Sequence, residues 1–285
     1  MSGPRIGVLL PTYSRHSTSQ MPSVVRTLAD LGATVDVIVP PAPDRPVQLS
    51  RVRVEHDLYV LRKISGLALS LAGALHELGA TIVNPYPASV ALRDKIVATR
   101  ILQSAGVPVP DTYVAADSDA LLPLLEDGPI VVKPYQGAGG HHVRIARTSA
   151  DLSDLDLGRG TGRDPIFAQR YHDPEGGRDR KLYVIGERCF GVMKVFPRRT
   201  AEEKQGEPFT VSGELRDIAF RCGRAFGIDL YGVDIIESGG VPYVVDVGTM
   251  PGYKGVPDAP RLLAEYLYAA AERARRMPAP AAALA

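Results

Sequence analysis

The sequence of 285 residues is short of cysteine, of long apolar runs and of net charge. Its two cysteines, Cys189 and Cys222, have no CxxC or CxxxC spacing, which favours packing residues in a reducing compartment over metal ligands or a disulfide. No stretch approaches the roughly 18 apolar residues of a membrane helix, and the early run IGVLL is too short for a signal-peptide core. We therefore expect a cytoplasmic protein that does not bind membranes.

The formal charge of +1 argues against a nucleic-acid binder that works by bulk attraction, although a local basic patch remains compatible with it. Two common nucleotide signatures are missing as well. No G-x-G-x-x-G follows the first apolar run, and the later glycine-rich loop is not followed by GKS or GKT. Neither a Rossmann nor a Walker A site is predicted.

The chain is long enough for two or more domains with substantial cores, and 45% hydrophobic content is ordinary for a globular protein. The first segment, 1–85, alternates apolar runs with helical patterns. Strands at 5–10, 34–40 and 56–62, separated by a helix at 21–31 and followed by another that ends at Gly79, predict a small α/β domain with parallel strands.

The stretch 231–257 predicts a β-hairpin with a Gly-Gly turn, followed by a Pro-Gly loop. Alternation along its strands brings Asp234 and Asp246 to one site. Two carboxylates are costly to bury without a cation between them, and Mg²⁺ held together with nucleotide phosphates satisfies that need. Taken alone, the stretch favours a hairpin whose acids are simply solvated.

A second hairpin is predicted around the sequence VVKPYQGAGGHHVRIA. Its small residues Gly137, Gly139 and Gly140 leave backbone N–H groups free to bind a phosphate, and Lys133 supplies positive charge before the loop. The competing interpretation is a hairpin tip without ligand. Upstream, a helix is predicted over 88–105. It carries Lys95, and the pattern by itself indicates that this lysine is solvated.

A third strand pair turns at Gly186 and carries a basic run without an acidic residue between Arg188 and Arg199. Lys194, Arg198 and Arg199 there are candidates for holding an anionic group, or else form a solvated face. A polar loop is predicted at 202–208, a helix beginning at Ser212, and a last helix over 261–276 before a flexible tail, 277–285.

In this order, the motifs RDK, VVKP with its glycine-rich loop, FAQRY, KLYVIGE, GVDII and VVDVGTMPGYKG resemble the ATP-grasp superfamily, most closely its RimK-like branch. The resemblance spans about 80–260. It implies an ATP-grasp fold of α/β and α+β character: an N-terminal α/β domain at 1–85, a central subdomain at 86–170 and a C-terminal subdomain at 171–276.

The resemblance also implies roles for single residues. ATP lies between the two ATP-grasp subdomains, Asp234 and Asp246 hold Mg²⁺, and the catalytic candidates are Arg198, Arg199 and Lys194. The nucleotide contacts are expected at Lys95, Lys133, Gly137, Gly139, Gly140, Gln169, Arg170 and Tyr171. The substrate contacts are expected at His141, Lys181 and Gly252, in motifs that are also similar to the inositol polyphosphate kinases of the superfamily.

Two positions depart from the family pattern. Gly248 stands where an Asn metal ligand is usual, and Arg170 stands where an acidic residue is usual. The expected activity is an ATP- and Mg²⁺-dependent ligase that joins a small-molecule or peptide carboxylate to an amine through an acylphosphate. A small-molecule kinase and a nucleotide-binding protein without catalysis are the alternatives, and the oligomeric state, a homo-oligomer included, is open.

Overall fold

The structure is a computed structural model that describes residues 2–11, 19–39, 46–62, 66–137, 142–153, 164–195 and 200–276. Five predicted site residues lie outside the described residues, as does the predicted tail at 277–285: Gly139, Gly140, His141, Arg198 and Arg199. The remaining segments form three sheets and their covering helices.

The first sheet is parallel and has the strand order β2-β1-β3-β4. Its strands are β1 (Arg5–Leu9), β2 (Thr34–Ile38), β3 (Leu58–Leu61) and β4 (Ile82–Val83), with helices α1 (Met21–Asp30) and α2 (Gly66–Glu77) in the crossovers. The predicted parallel strands of the first segment are therefore confirmed. The short connections leave the carboxyl ends of β1 and β3 side by side at one edge.

The second sheet is antiparallel and has the order β5-β8-β6-β7. Its elements are β5 (Thr112–Ala115), β6 (Ile130–Pro134), β7 (Arg144–Ala146) and β8 (Ile166–Arg170), with the 3₁₀ segment Ser118–Asp127 and the short helix α5 (Ser149–Ser153) packed on it. Helices α3 (Tyr86–Arg93) and α4 (Lys95–Ser104) precede this sheet in the chain.

The third sheet is antiparallel with the order β11-β10-β9-β12-β13. Its strands are β9 (Arg178–Ile185), β10 (Arg188–Val195), β11 (Glu207–Phe209), β12 (Leu230–Ser238) and β13 (Val241–Thr249), with helices α6 (Ala201–Gln205), α7 (Gly213–Phe226) and α8 (Ala259–Arg276). Gly239 and Gly240 both have positive φ in the β12–β13 turn, which confirms the predicted Gly-Gly hairpin.

The third sheet is buried on both faces. One face packs against α7 and the helices before the second sheet, and its core includes Leu182, Val233 and Cys222. The other face shares a single core with α8 and with the N-terminal sheet, where Ile6 and Leu58 pack with Leu267. Each predicted domain contains one sheet, and the exact domain boundaries stay predictions. Within the part that the structure describes, no helix is long and apolar enough to cross a membrane.

Two sequence predictions about local structure are wrong. The helix predicted over 88–105 is two helices, because Asp94 has extended backbone angles and its Oδ1 accepts the N–H groups of Ile96 and Val97 at 2.9 and 3.1 Å. Asp is a strong N-cap residue, so it ends one helix and begins the next. The polar loop predicted at 202–208 is α6 followed by β11. Thr200 and Glu203 form a capping box there.

A buried amide joins the N-terminal segment to the third sheet. The Asn84 Nδ2 donates to the Leu230 carbonyl at 2.6 Å, and its Oδ1 accepts the Leu230 N–H at 3.1 Å. Asn84 is 1% exposed, so water cannot replace these bonds. The side chain holds the beginning of β12 against the N-terminal sheet.

Replacing Asn84 with Ala is expected to lower the free energy of unfolding by about 2–4 kcal/mol, because two buried backbone groups lose their partners. Chemical denaturation followed by circular dichroism measures the change. Ser89→Ala is the matched control, because Ser89 is equally buried and its hydroxyl has no hydrogen-bond partner among the described residues. The account of Asn84 is wrong if the two variants lose the same stability.

Candidate active site

The two predicted metal ligands face each other across the β12–β13 hairpin. Asp234 and Asp246 are register partners, so both side chains leave the same face of the sheet. Beyond this pair the register shifts, and a β-bulge leaves Val245 without a direct partner. Among the residues that the structure describes, no group of three or more His, Cys, Asp or Glu side chains is placed to hold a metal. The candidate metal ligands are this carboxylate pair.

The two carboxylates differ in their surroundings. Asp234 Oδ1 accepts a charge-assisted hydrogen bond from Lys181 Nζ at 2.6 Å, and both side chains are largely buried. Burial, and secondly the nearby negative charge of Asp234, raise the pKa of the Asp246 carboxyl above its ordinary value. Lys181 therefore neutralises the charge of Asp234, whereas a further cation would stabilise the charged form of the buried Asp246.

Lys133 connects the second sheet to this hairpin. Its Nζ donates to Gln169 Oε1 at 2.8 Å and to the Val245 carbonyl at 3.2 Å. The side chain is 9% exposed, and burial lowers the pKa of its ammonium to about 8. The bulge at Val245 turns a carbonyl toward this lysine, next to Asp246, and no pattern in the sequence predicts it.

Lys95 lies at the base of the glycine-rich loop. Lys95 is the first residue of α4. Its backbone N–H donates to the Tyr135 carbonyl at 2.8 Å, and its Nζ donates to the Gly137 carbonyl at 2.7 Å. Asp94 forms an isolated bridge with Gln136. The break at Asp94 therefore attaches the start of α4 to the loop, which brings Lys95 toward the glycine-rich loop instead of the helix surface.

The predicted adenine-side residues lie at the end of β8. Gln169 is 3% exposed and is held by Lys133 and, through its Nε2, by the Thr112 hydroxyl at 3.3 Å. The Arg170 guanidinium donates to the carbonyls of Gly128 at 2.7 Å and Leu124 at 3.0 Å. The Tyr171 hydroxyl donates to Asp173 at 3.0 Å. These bonds use Nη1 of the Arg170 guanidinium, and the Arg170 backbone N–H donates to the Asp111 carbonyl at 2.8 Å, so the nucleotide role of Arg170 stays a prediction.

Lys194 lies on the same sheet face as Lys181 and Asp234. It is 5% exposed and donates to the Tyr183 hydroxyl at 3.0 Å. The ammonium groups of Lys181 and Lys194 lie 5.7 and 5.4 Å from the Tyr183 ring. Gly252 is in the loop that follows β13. The roles of these residues stay predictions, and Tyr183, which the sequence analysis did not single out, organises the two lysines.

Gly248 has an ordinary backbone conformation, because its φ is not in the left-handed region. A Cβ built at this position meets no atom within 4 Å. Gly248 is the register partner of Gly232 on the face that carries Asp234 and Asp246. A side chain is therefore sterically allowed where the family pattern has a metal ligand.

A sequence profile described as the RimK-like ATP-grasp domain matches residues 92–261, more than half of the chain. The chain belongs to the RimK-like ATP-grasp family. A probable alpha-L-glutamate ligase of Alkalilimnicola ehrlichii is 33% identical to it over 192 residues, which cover 61% of this chain and 62% of that protein. The chain thus spans under two thirds of that relative's length.

A second relative matches along most of this RimK-like chain. Probable alpha-L-glutamate ligase 2 of Hahella chejuensis is 28% identical over 280 residues, which cover 90% of each chain. In structure, an ATP-grasp RimK domain protein of Sphaerobacter thermophilus superposes with a TM-score of 0.73 at 19% identity, covering 92% of this chain and 98% of its own. The predicted ATP-grasp fold and RimK-like branch are confirmed.

Nucleotide binding by this RimK-like chain is expected to take up a proton at pH 8.5. With a pKa of about 8, free Lys133 is mostly neutral there, and nucleotide phosphates favour its charged form. Calorimetry of Mg-ADP binding in two buffers with different ionisation enthalpies measures the uptake. At pH 6.5 the lysine is already charged, and uptake disappears.

Lys133→Met and Lys133→Arg are the matched variants. Neither titrates near pH 8, so neither takes up the proton at pH 8.5. The Met variant also loses a charge-assisted contact and binds about tenfold or more weakly. Equal proton uptake in wild type and Lys133→Met would mean that Lys133 does not touch the phosphates.

The two acids are expected to respond oppositely in the ligand-free protein. Asp246→Asn removes a carboxylate whose raised pKa marks an unfavourable charge, so the melting temperature at pH 7 rises. Asp234→Asn breaks the ion pair with Lys181 and costs up to about 1 kcal/mol. Differential scanning calorimetry measures both, and each variant should bind Mg-ATP about tenfold or more weakly. A stability loss in Asp246→Asn with unchanged Mg-ATP affinity contradicts the metal site.

Proposed function

We propose that the protein is an ATP- and Mg²⁺-dependent ligase that joins a carboxylate to an amine, with release of ADP and phosphate. One observation carries this proposal. Lys133, from β6 of the second sheet, donates to the Val245 carbonyl beside Asp246 of the third sheet. Asp234, the register partner of Asp246, accepts a hydrogen bond from Lys181. Positive groups for phosphates and a carboxylate pair for a divalent cation therefore share one cleft.

We assign the nucleotide phosphates to Lys133, Lys95 and the loop that begins at Gly137. Buried Lys133 is held by two neutral acceptors and by no carboxylate within hydrogen-bond distance in the described residues. An anion brought to its ammonium compensates the cost of burial. Gln169 fixes that ammonium from the second sheet, and the backbone of Arg170 and Tyr171 borders the adenine.

The carboxylate pair fits Mg²⁺ by its chemistry, because hard oxygen ligands and few protein ligands suit this ion when phosphates complete the shell. Asp246 and Asp234 would hold the ion. Lys181 would then release Asp234 and bind the substrate instead. Bound Mg²⁺ supplies charge neutralisation between the phosphates. Gly248 contributes no side-chain ligand, so water or a backbone oxygen would complete the site.

The reaction has two balanced steps. An oxygen of the substrate carboxylate attacks the γ-phosphorus, the bond to the bridging oxygen breaks, and ADP leaves with that electron pair. The amine nitrogen then attacks the acyl carbon of the acylphosphate, phosphate leaves, and the nitrogen loses a proton as the amide forms. Lys181 and Lys194, with Arg198 and Arg199, would orient the carboxylate and stabilise the developing negative charge.

The names of the relatives suggest the amine. Both probable alpha-L-glutamate ligases point to an amino acid as the group that is added, on a small-molecule or peptide carboxylate. We propose the same substrate class for this chain, acting in the cytoplasm.

A phosphate-release assay with Mg-ATP tests the function. Phosphate release that requires both a carboxylate and an amine is expected, with L-glutamate as the first amine and short peptides as carboxylates. ADP formation without free phosphate would instead identify a kinase. ATP binding without any turnover would identify a nucleotide-binding protein.

Gly248→Asn sharpens the same assay, because the position accepts a side chain and the amide oxygen adds a metal ligand. We expect half-maximal rate at a lower Mg²⁺ concentration than in wild type. Gly213→Asn, at the first residue of α7, is the control, since a Cβ there also meets no atom and the φ of Gly213 is not in the left-handed region. Turnover that appears only in Gly248→Asn would show that the natural chain has lost catalysis.

A further inference from the structure

Tyr183 is a buried tyrosine on the charged face of the third sheet. It lies two residues after Lys181 on β9, so both side chains point to the side of the sheet that carries Asp234, the register partner of Lys181. The residue is 2% exposed. No step of the proposed reaction uses its hydroxyl, although buried hydroxyl groups in proteins normally have a defined hydrogen-bond partner.

The hydroxyl of Tyr183 contacts a buried lysine of the neighbouring strand. It accepts a hydrogen bond from Lys194 Nζ at 3.0 Å, and the Lys254 carbonyl, in the loop that follows β13, is a second acceptor at 3.5 Å. Lys194 is 5% exposed. A lysine ammonium sits on a flexible four-carbon stem, whereas a tyrosine has only two side-chain torsions. The phenol therefore limits where the Lys194 ammonium can be.

The ring of Tyr183 is itself held in place by Tyr253. The two ring centroids lie 5.4 Å apart, and the Tyr253 hydroxyl donates to the Val184 carbonyl at 3.1 Å, in the residue next to Tyr183. Tyr253 has a φ of 48°, which is in the left-handed region and is uncommon for a residue other than glycine. Gln20 Nε2 donates to the Tyr253 carbonyl at 3.2 Å. Such a conformation persists where the surroundings fix it, so the phenol has a rigid support.

We propose that Tyr183 is a positioning residue for the ligase reaction: its hydroxyl holds the Lys194 ammonium on the side of the sheet where the substrate carboxylate is phosphorylated. This role rests on the proposed function and deepens it, because it assigns a residue that acts through Lys194 and does not touch the substrate. A phenol orients the ammonium without neutralising it, whereas a carboxylate at the same place would neutralise it. The ring also lies 5.7 Å from the ammonium of Lys181 and 5.4 Å from that of Lys194, which favours their charged forms.

The phosphate-release assay with Tyr183→Phe tests this role, because the change removes the hydroxyl and keeps the ring. We expect kcat to fall by about tenfold or more, while KM for Mg-ATP stays as in wild type, since the displaced ammonium acts on charge that develops in the transition state. The stoichiometry of Mg-ADP binding, measured by calorimetry, checks that the same fraction of the variant is folded.

Tyr231→Phe is the matched control. Tyr231 is 1% exposed, and its hydroxyl donates to the Ala219 carbonyl at 2.9 Å on the opposite face of the same sheet. The control thus loses a buried phenolic hydrogen bond in the same way. It is expected to lose similar stability and to keep the kcat of wild type.

A second readout uses the ligand-free protein and needs no activity. In NMR spectra of the lysine ammonium groups, the signal of Lys194 is assigned by its disappearance in Lys194→Arg. That signal is expected to shift in Tyr183→Phe and to stay in place in Tyr231→Phe. The signal of Lys181, which faces the ring of Tyr183 and bonds Asp234 instead of the hydroxyl, should move less.

The positioning role is overturned if Tyr183→Phe keeps the kcat of wild type, if Tyr231→Phe loses as much, or if the Lys194 signal does not shift. In each of these cases phosphate release by wild type still identifies a ligase. Absence of phosphate release from wild type with every carboxylate and amine tested would refute the ligase function, and the positioning role with it, even where the NMR shift is seen.

Discussion

The candidate site depends on buried charges that come from two different sheets and must be neutralised where the sheets meet. Asp234 and Asp246 are directly opposite on one sheet face, and a second sheet brings the buried ammonium of Lys133 to the next backbone carbonyl. Neither group is fully compensated within the protein: burial lowers the pKa of the lysine and raises that of Asp246. A metal ion bound to phosphates suits this site, because the metal ion can compensate the acids and the phosphates can compensate the lysine.

The same sheet face explains why further charged and polar side chains lie beside the two acids. Lys181, Tyr183 and Lys194 alternate with core residues on β9 and β10, so period-two geometry delivers them all to the side that carries the acids. The opposite side of the sheet packs against α7 and the apolar residues around it. The side that carries the acids also packs, through Ile185, Val192 and Leu230, against α8 and the N-terminal sheet, so the charged groups border one of the two cores.

Sequence reasoning predicted the features that depend on local pattern. The β12–β13 hairpin, the helix that begins at Ser212 and the strand that carries Lys133 follow from alternation, capping and turn residues, and the ordered motifs predicted the family. It failed at Asp94, where one N-cap interrupts an otherwise helical pattern. It also could not find the Val245 bulge, because that feature depends on what a distant strand brings alongside.

The core that α8 shares with the N-terminal sheet and the third sheet has a mechanical consequence. Residues as distant in sequence as Ile6, Val192 and Leu267 pack in one cluster, so these two sheets form a single block. The second sheet has its own separate core around Ile130 and Ala168. A rigid-body movement of the second sheet against this block would therefore change the distance from Lys133 to Asp234 and Asp246, while Lys181 and Lys194, inside the block, would keep theirs.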